Sequence, residues 1–354
     1  MEKNKNKNKN KNKNNNKSKK SRKVIKKKKK FKRVIGFLVF QLIFTCSTAP
    51  YIAYYGPFEN VRNTLVTTAM TTLSHQWIAT KFLSEEKINE ILKDQAITTL
   101  AQNKNDSSVK VENKNDQTIL LEEVQTSKYK GYLLTIKDPT RVKVGFSSKL
   151  STEGTTEGQL TSEIAMNNNA IAAVNGGGFT DEATGSLWTG TGGIPTGIIM
   201  SGGKTHFNDI EDNNLQREVV AITQEGVLLV GKYSFNELLQ KNVTEAVSFG
   251  PALIVDGQKA INSGDGGWGI APRTAIAQKR DGTILLLVID GRQANSLGAT
   301  LKDVQDILYE YGAWNASNLD GGSSSTMFYN DEIINSPSDS LGERSVPSVI
   351  YVER

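Results

Sequence analysis

Residues 34 to 55 read VIGFLVFQLIFTCSTAPYIAYY, 22 residues without a charged side chain. That length matches the roughly 20 residues a helix needs to cross a bilayer's hydrocarbon core. The run also separates two parts of opposite charge. Residues 1–33 hold 18 of the 43 lysines and arginines and a single acid, Glu2, so everything beyond them is net acidic although the whole chain carries +6. The basic pI therefore belongs to the tail, and the body offers no argument for nucleic-acid binding. A Lys/Asn repeat with almost no apolar residue cannot bury a core, so residues 1–33 are expected to be a disordered basic tail. Positive charge on this flank places it on the cytoplasmic side. Tyr51, Tyr54 and Tyr55 suit the opposite interface. The expectation is an uncleaved signal anchor over 34–55, a single pass through the cell membrane in contact with lipid, with the rest of the chain extracytoplasmic. A cleavable signal peptide would use the small residues of STA, but Pro50 follows directly. A lipoprotein site at Cys46 would want a smaller residue than Thr45. Cys46 is the sole cysteine, which excludes an intrachain disulfide and a cysteine metal cluster.

Beyond the apolar run the texture changes three times. Residues 56–100 read as a juxtamembrane helical stalk; in SEEKINEILKDQ, Ser84 caps a helix with Ile88, Ile91 and Leu92 on one face. Residues 101–118 are polar and aperiodic, a linker by composition. From 119 to 354, short β-type runs alternate with glycine-rich turns, in a stretch long enough for one domain with a good core. GYLLTIKD and RVKVGFS read as strands paired with each other, and 157–168 as a helix. AIAAVNGGGF is a buried strand that breaks at Asn175, and TILLLVID an apolar strand ending at Asp290. PALIVDGQKA turns at Asp256-Gly257, and TMFYNDEIIN at Asn330-Asp331. The clearest helix is ATLKDVQDILYEYG, with Thr300 as cap, Asp303 three residues later and Gly312 as its stop. The fold class is α+β: mixed β-sheets with a few packed helices, preceded by one transmembrane helix.

Several chemistries are missing. The two histidines are His75 and His206, with no G-x-S-x-G elbow for a serine triad and no zinc spacing. His206 reads as structural or surface. GIIMSGGKT has one residue too many between its glycines for a phosphate-binding P-loop.

What remains is a set of polar residues at the ends of apolar runs. Asn175 opens NGGG, Arg273 stands in GIAPRTAIAQ, Asp290 opens DGRQ, Asp320 opens DGGSSS and Arg344 sits in GERSVP. A charge at the end of a buried strand is costly unless it meets a partner or water. Neighbouring glycines leave N–H groups open and let a ligand approach closely, as in an anion-binding nest. Taken alone, Asp290 reads first as a turn aspartate. Gly321 to Ser325, five small residues in succession, are more than a turn needs.

At these residues the sequence resembles the phosphodiester glycosidases, a family that includes the lysosomal enzyme removing N-acetylglucosamine from phosphodiester-linked mannose, and bacterial exopolysaccharide biosynthesis proteins. The matching text is AAVNGGGF, SFGPALIVDG, APRTAIAQKRDGTILLLVIDGRQ, GATLKDVQDILYEYGAWNASNLDGGSSSTMFYN and GERSVPSVIYV, covering most of residues 130–354 in the family's order. Ser323 departs from a frequent third glycine and Ser345 from a common proline. The resemblance implies cleavage between a sugar's anomeric carbon and a phosphate, in a surface or secreted polysaccharide or glycosyl phosphodiester. It implies Asp320 and Asp290 as nucleophile or base, in an order left open. Arg273, Arg344 and the N–H groups of Gly321 and Gly322 would serve the phosphate; Asn175 and Ser324 would orient sugar hydroxyls. No cofactor is required, although calcium or magnesium would suit oxygen ligands between carboxylates and phosphate. The rival expectation is a non-catalytic polysaccharide-binding or exopolysaccharide assembly protein. The Lys/Asn bias fits an AT-rich bacterial coding sequence.

Overall fold

Lys30–Tyr55 forms one helix of 26 residues, with a mean hydropathy of 1.6 over its most apolar window, long and apolar enough to cross a membrane. The computed structural model describes residues 30–71, 75–95, 97–102, 108–150, 157–180, 192, 194–339 and 341–354. Most of the expected disordered tail (1–29) and the middle of the expected linker (103–107) lie outside the described residues. The chain divides into two compact units, Met1–Arg62 and Asn63–Arg354.

In the second unit three antiparallel sheets turn one face each to a shared core. The largest has seven strands in the order Ile119–Gln125, Lys130–Ile136, Ile284–Ile289, Arg273–Lys279, Ala313–Leu319, Ala252–Val255, Gln258–Lys259. A second runs Leu228–Tyr233, Arg217–Thr223, Val243–Val247, Ile198–Ser201, Lys204–Asn208. The third runs Glu332–Ile333, Met327–Tyr329, Ala170–Asn175, Ser348–Glu353, Val142–Phe146. Leu134, Leu286, Ile276 and Leu319 of the first, Val220, Val230 and Val247 of the second and Val144, Val174 and Ile350 of the third meet in one cluster. Each outer face is closed by a helix: Leu301–Glu310 on the first sheet, Phe235–Gln240 on the second and Thr161–Asn167 on the third. Ile284–Ile289 is buried along its whole length because both its faces are covered, so it reads as an unbroken apolar run.

The strongest local signals give the expected elements. Thr300 caps Leu301–Glu310 in a reciprocal box with Asp303, and Gly312 follows at φ +85°. Asp256 and Gly257 both have positive φ, as a tight hairpin turn requires. Gly202 and Gly203 make the equivalent turn in the segment that mimics a P-loop. The expected helix over 157–168 shortens to Thr161–Asn167, since Gln159–Leu160 pairs with Ser345–Val346. His206 stacks on Phe146, with ring centroids 4.0 Å apart.

One pairing differs from expectation. Lys130–Ile136 does not pair with Val142–Phe146; it lies between Ile119–Gln125 and Ile284–Ile289, while Val142–Phe146 pairs with Ser348–Glu353. Asp138 causes the switch. Its carboxylate accepts from Asn115 N and from both Thr140 N and Thr140 Oγ1, fixing a 3-10 turn over Pro139–Arg141 that carries the chain from one sheet to another.

From Asn63 on, described residues read as stalk and linker also pack within the second unit. Ser84 caps Glu85–Asp94 as expected, and Ile88 and Ile91 are buried. Thr67 Oγ1 donates to Asp265 at 2.5 Å, Ile270 N donates to Thr68 Oγ1 at 3.0 Å, and Asp265 N donates to Gln95 Oε1 at 3.0 Å. Gln102 is buried, accepting from Val230 N and from the Tyr233 hydroxyl. These polar groups alternate with apolar ones too irregularly to show a periodic face, so the sequence alone reads them as stalk.

Candidate active site

Strand register brings the charged motifs to one edge of the large sheet. Arg273 begins the strand whose two neighbours end at Ile289 and Leu319: Arg273 pairs with Ile289, and Thr274 with Leu319. Asp290 and Asp320 therefore leave the sheet on either side of Arg273, two strand spacings apart, with backbones roughly 10 Å from each other.

Asn175 arrives at the same edge from the third sheet. It is wholly buried, and its amide is engaged on every side by protein. Nδ2 donates to the Asp320 carbonyl at 2.6 Å, while Oδ1 accepts from Thr274 Oγ1 at 2.8 Å and from Thr326 N at 3.2 Å. Asp320 N in turn donates to Gly176 O at 3.1 Å. Asn175 thus holds the carboxylate loop in place from beneath.

The loop after Asp320 is shaped by its glycines. Gly322 sits at φ +63° and donates its N–H to Pro272 O at 2.9 Å, opening a 3-10 turn over Gly322–Ser324. A Cβ on Gly321 would stand 3.0 Å from Pro272 O, so the two glycines let the loop press onto the start of the Arg273 strand. Asp320 keeps part of its surface open while protein surrounds it closely. Burial pushes its carboxyl up to about 6, against the Ser324 hydroxyl and the Gly321 N–H, which favour the ionised form. Ser324 influences the carboxylate without a well-formed hydrogen bond: Ser324 Oγ, Ser325 Oγ and Thr326 Oγ1 are all buried and unpartnered. Three successive buried hydroxyls without partners are unusual, because each carries a desolvation cost that a ligand or water would offset.

The other expected site residues fall into two groups. Arg344 joins the loop, donating from Nη1 to Ser323 Oγ at 3.1 Å with its guanidinium 4.9 Å from the Phe179 ring centre. Asp290 is 5% exposed, and Oδ1 accepts from Asn335 Nδ2 at 3.0 Å and from Ser336 N at 2.9 Å. Burial raises its pKa, with those two donors opposing. Arg273 turns into the protein. Nε donates to Ala299 O, and Nη2 to the carbonyls of Trp268 and Gly269 at 2.8 and 2.7 Å; burial lowers its pKa to about 10, which leaves it charged at neutral pH.

Arg292, the third letter of DGRQ, carries no sequence signal of its own, since an arginine in a turn reads as an ordinary surface cation. It has φ +59°, is exposed, and makes no side-chain hydrogen bond among the described residues. A Cβ on Gly322 would lie 3.3 Å from Arg292 Nη2, so this guanidinium rests against the small-residue loop. A cation beside unpartnered hydroxyls suits an anion, but the N–H groups of Gly321 and Gly322, expected to serve the phosphate, are committed within the protein, to the Asp320 carboxylate and to Pro272 O, because the loop is folded tightly onto the start of the Arg273 strand. The donor set suits a cation less well: among the described residues no three of His, Cys, Asp and Glu gather, and N–H donors already cap Asp290 Oδ1.

A family model described as phosphodiester glycosidase matches residues 168–353, which include every one of these site residues. An uncharacterized SPbeta prophage-derived protein, YomE, of Bacillus subtilis (strain 168) is 26% identical over 208 residues, covering 56% of this chain and 30% of that one. The N-acetylglucosamine-1-phosphodiester alpha-N-acetylglucosaminidase of Bos taurus is 29% identical over 194 residues, covering 50% of this chain and 34% of that one. The chain thus spans about a third of the length of these relatives. Among solved structures, the catalytic domain of the zebrafish N-acetylglucosamine-1-phosphodiester alpha-N-acetylglucosaminidase, auto-inhibited by its pro-peptide, superposes with a TM-score of 0.54 at 22% identity, over 73% of this chain and 87% of that one. The likeness is one of fold.

Proposed function

The chain belongs to the phosphodiester glycosidase family, and from that premise we propose that it hydrolyses a glycosyl-1-phosphodiester in a surface or secreted glycan, parting sugar from phosphate. The observation that carries this reading is Asp320, a carboxylate raised to about 6 at the mouth of a loop of glycines and unpartnered hydroxyls, with Arg344 and Arg292 against that loop.

The bond that breaks joins the anomeric carbon to the ester oxygen of the phosphate. The phosphate monoester leaves with the electron pair, and water supplies the new hydroxyl. Because that leaving group is already good, little proton donation is needed, and the absence of a histidine from the site costs little. Asp320, ionised above about pH 6, stabilises the oxocarbenium-like sugar and serves either as nucleophile or as the base for water. Asp290 is the second carboxylate of the pair, fixed through Oδ1 by Asn335 and Ser336. Arg344 and Arg292 balance the phosphate charge. The apolar helix Lys30–Tyr55 would hold the enzyme at a membrane, with the second unit on the extracytoplasmic side.

The test is turnover of a glycosyl phosphodiester by the full-length protein in detergent, followed by release of phosphate monoester and free sugar. Tight binding of the polymer without turnover would make it a polysaccharide-recognition or assembly protein.

A further inference from the structure

The backbone of Asp290 is fixed on both sides. Its N–H donates to Lys130 O at 2.9 Å, and its carbonyl accepts from Ser296 Oγ at 2.6 Å. The carboxylate still has to be oriented, since the last torsion of an aspartate side chain is broad. Orientation comes from the corner at Asn335 and Ser336. Asn335 Nδ2 donates to Asp290 Oδ1 at 3.0 Å, and Ser336 N donates to the same oxygen at 2.9 Å. Gln293 Nε2 donates back to Ser336 O at 2.7 Å, so the DGRQ turn and this corner are zipped together. Oδ2 of Asp290 accepts no hydrogen bond among the described residues, and it is not one of the buried atoms left without a partner. One oxygen is held and the other stays open.

The same asparagine holds the loop that follows the other carboxylate. Asn335 Nδ2 also donates to Ser325 O at 3.1 Å, and its Oδ1 accepts from Met327 N at 2.7 Å. This last bond lies where the hairpin of Met327–Tyr329 and Glu332–Ile333 ends. Ile334 N still donates to Met327 O, but Met327 N turns to the Asn335 side chain instead of a backbone carbonyl. Asn175 grips the loop from beneath, at Asp320 O and Thr326 N. The two amides together pin the backbone at both ends of the run of hydroxyls. That explains why Ser324, Ser325 and Thr326 keep theirs unpartnered. A loop free to relax would turn such hydroxyls onto nearby backbone groups; this one cannot.

We propose that Asn335 is a positioning residue for the reaction: one amide sets how the Asp290 carboxylate stands relative to the Asp320 loop and leaves Asp290 Oδ2 as the oxygen that meets substrate or water. Only an amide fills the place. Nδ2 faces two acceptors and Oδ1 faces a donor, so aspartate in the same shape lacks both donors and alanine lacks all three bonds. Among charged groups, Lys130 on the neighbouring strand also acts on Asp290 and favours its ionised form. The Lys130 ammonium is shared with Glu123, 3.5 Å away, and with the Tyr132 ring. The proposal rests on the phosphodiester reading for the reaction itself; the hold on Asp290 stands on the hydrogen bonds alone.

Titration and turnover test the two parts separately. Full-length protein in detergent, isotopically labelled at the aspartate carboxyl carbons, is titrated by NMR, with Asp290→Asn identifying the Asp290 resonance. Asn335→Asp keeps the acceptor for Met327 N, which preserves the hairpin, and sets a like charge against Asp290. Asn335→Ala removes the donors without adding charge. Asp290 should titrate at higher pH in both variants, and further in Asn335→Asp, because a lost donor and a nearby charge each disfavour the carboxylate. On a glycosyl phosphodiester, kcat per folded molecule should fall at least about tenfold in both, as for a slightly misplaced reacting group, with KM within about twofold. Titration of Asp290 as in the parent in both variants overturns the hold, whatever the enzyme turns over. A kcat that follows only the folded fraction overturns the positioning role and leaves Asn335 a hairpin residue. A shifted Asp290 in variants of a protein that splits no glycosyl phosphodiester upholds the hold and removes the catalytic reading instead.

Discussion

The side-chain amide of Asn175 donates to the backbone carbonyl of Asp320 at 2.6 Å, joining strand ends 145 residues apart in sequence. The same amide holds Thr274 and Thr326, so a single side chain ties the third sheet to the first at the point where the loop after Asp320 begins. Replacing Asn175 with aspartate keeps the acceptor, removes the donor and brings a negative charge toward Asp320. The expected outcome for Asn175→Asp is a kcat at least about tenfold lower and an acid limb of activity moved to higher pH, as a nearby like charge disfavours ionisation. An unmoved limb in the rate-against-pH profile would mean that Asn175 does not govern the carboxylate.

Asp320→Asn should trade activity for stability. A folded-state pKa of about 6 against an ordinary 3.8 means that the native state binds the proton more tightly than the unfolded chain. Stability is therefore lost as pH rises from about 4 to about 6, and above that range the ionised carboxylate costs on the order of 1–3 kcal/mol. Asparagine carries no such cost. At pH 7.5 Asp320→Asn should unfold at higher denaturant than the parent, while turnover falls at least about a hundredfold. Asp256→Asn, in a hairpin turn at φ +49° that asparagine tolerates, is the matched control and should change neither. Denaturant midpoints at pH 4 and pH 7.5 decide it; equal gains at both would contradict the burial of Asp320.

If the ionised form of Asp320 is the working one, kcat/KM should rise with pH through about 6 and then level. Arg273 does not add a limb below pH 9, since its own pKa lies near 10. A profile that instead falls between pH 5 and 7 would assign Asp320 the role of a proton donor.

Arg273 and Arg292 should separate cleanly. Arg273→Lys loses a fork that grips three carbonyls, so stability should drop by about 2–4 kcal/mol with activity falling alongside it. Arg292→Lys breaks no hydrogen bond among the described residues, so the thermal midpoint should stay within a degree or two. Product inhibition by a phosphate monoester should weaken about tenfold. Comparable loss of stability in both variants would place Arg292 among the structural residues.

If Lys30–Tyr55 anchors the chain with its basic flank inside, protease added to wall-stripped cells should degrade the unit Asn63–Arg354 and spare the tail. Full protection of the chain would reverse the orientation.

What the sequence made legible was local. Thr300 with Asp303, the turn at Asp256-Gly257 and the apolar run ending at Asp290 each carry their signal within a dozen residues, and each forms as read. The meeting of Asn175, Asp320 and Arg344 was legible only through family resemblance, because nothing local announces a contact between distant motifs. Pairing partners were harder. Lys130–Ile136 and Val142–Phe146 are adjacent in sequence and equally strand-like, and only the bonds around Asp138 send them to different sheets. The direction of a buried side chain was not legible at all. Arg273 sits in a motif that suggests a phosphate ligand, yet its guanidinium faces backbone carbonyls, whereas Arg292 lies against the loop.

The strand Ser348–Glu353 lies inside its sheet, paired with Val142–Phe146 on one side and Ala170–Asn175 on the other. Synthesis reaches it long after both neighbours, so until then Ala170–Asn175 presents an open edge on that side. Folds governed by such distant pairings form slowly, on the millisecond-to-second scale. A chain passing through a membrane while it is being made would meet the far compartment with that edge bare, exposed to pairing with other chains. The NGGG turn at its end could not settle, since Gly176 and Gly177 both bond to Ser348. Competence for chemistry would then coincide with the closing step of folding.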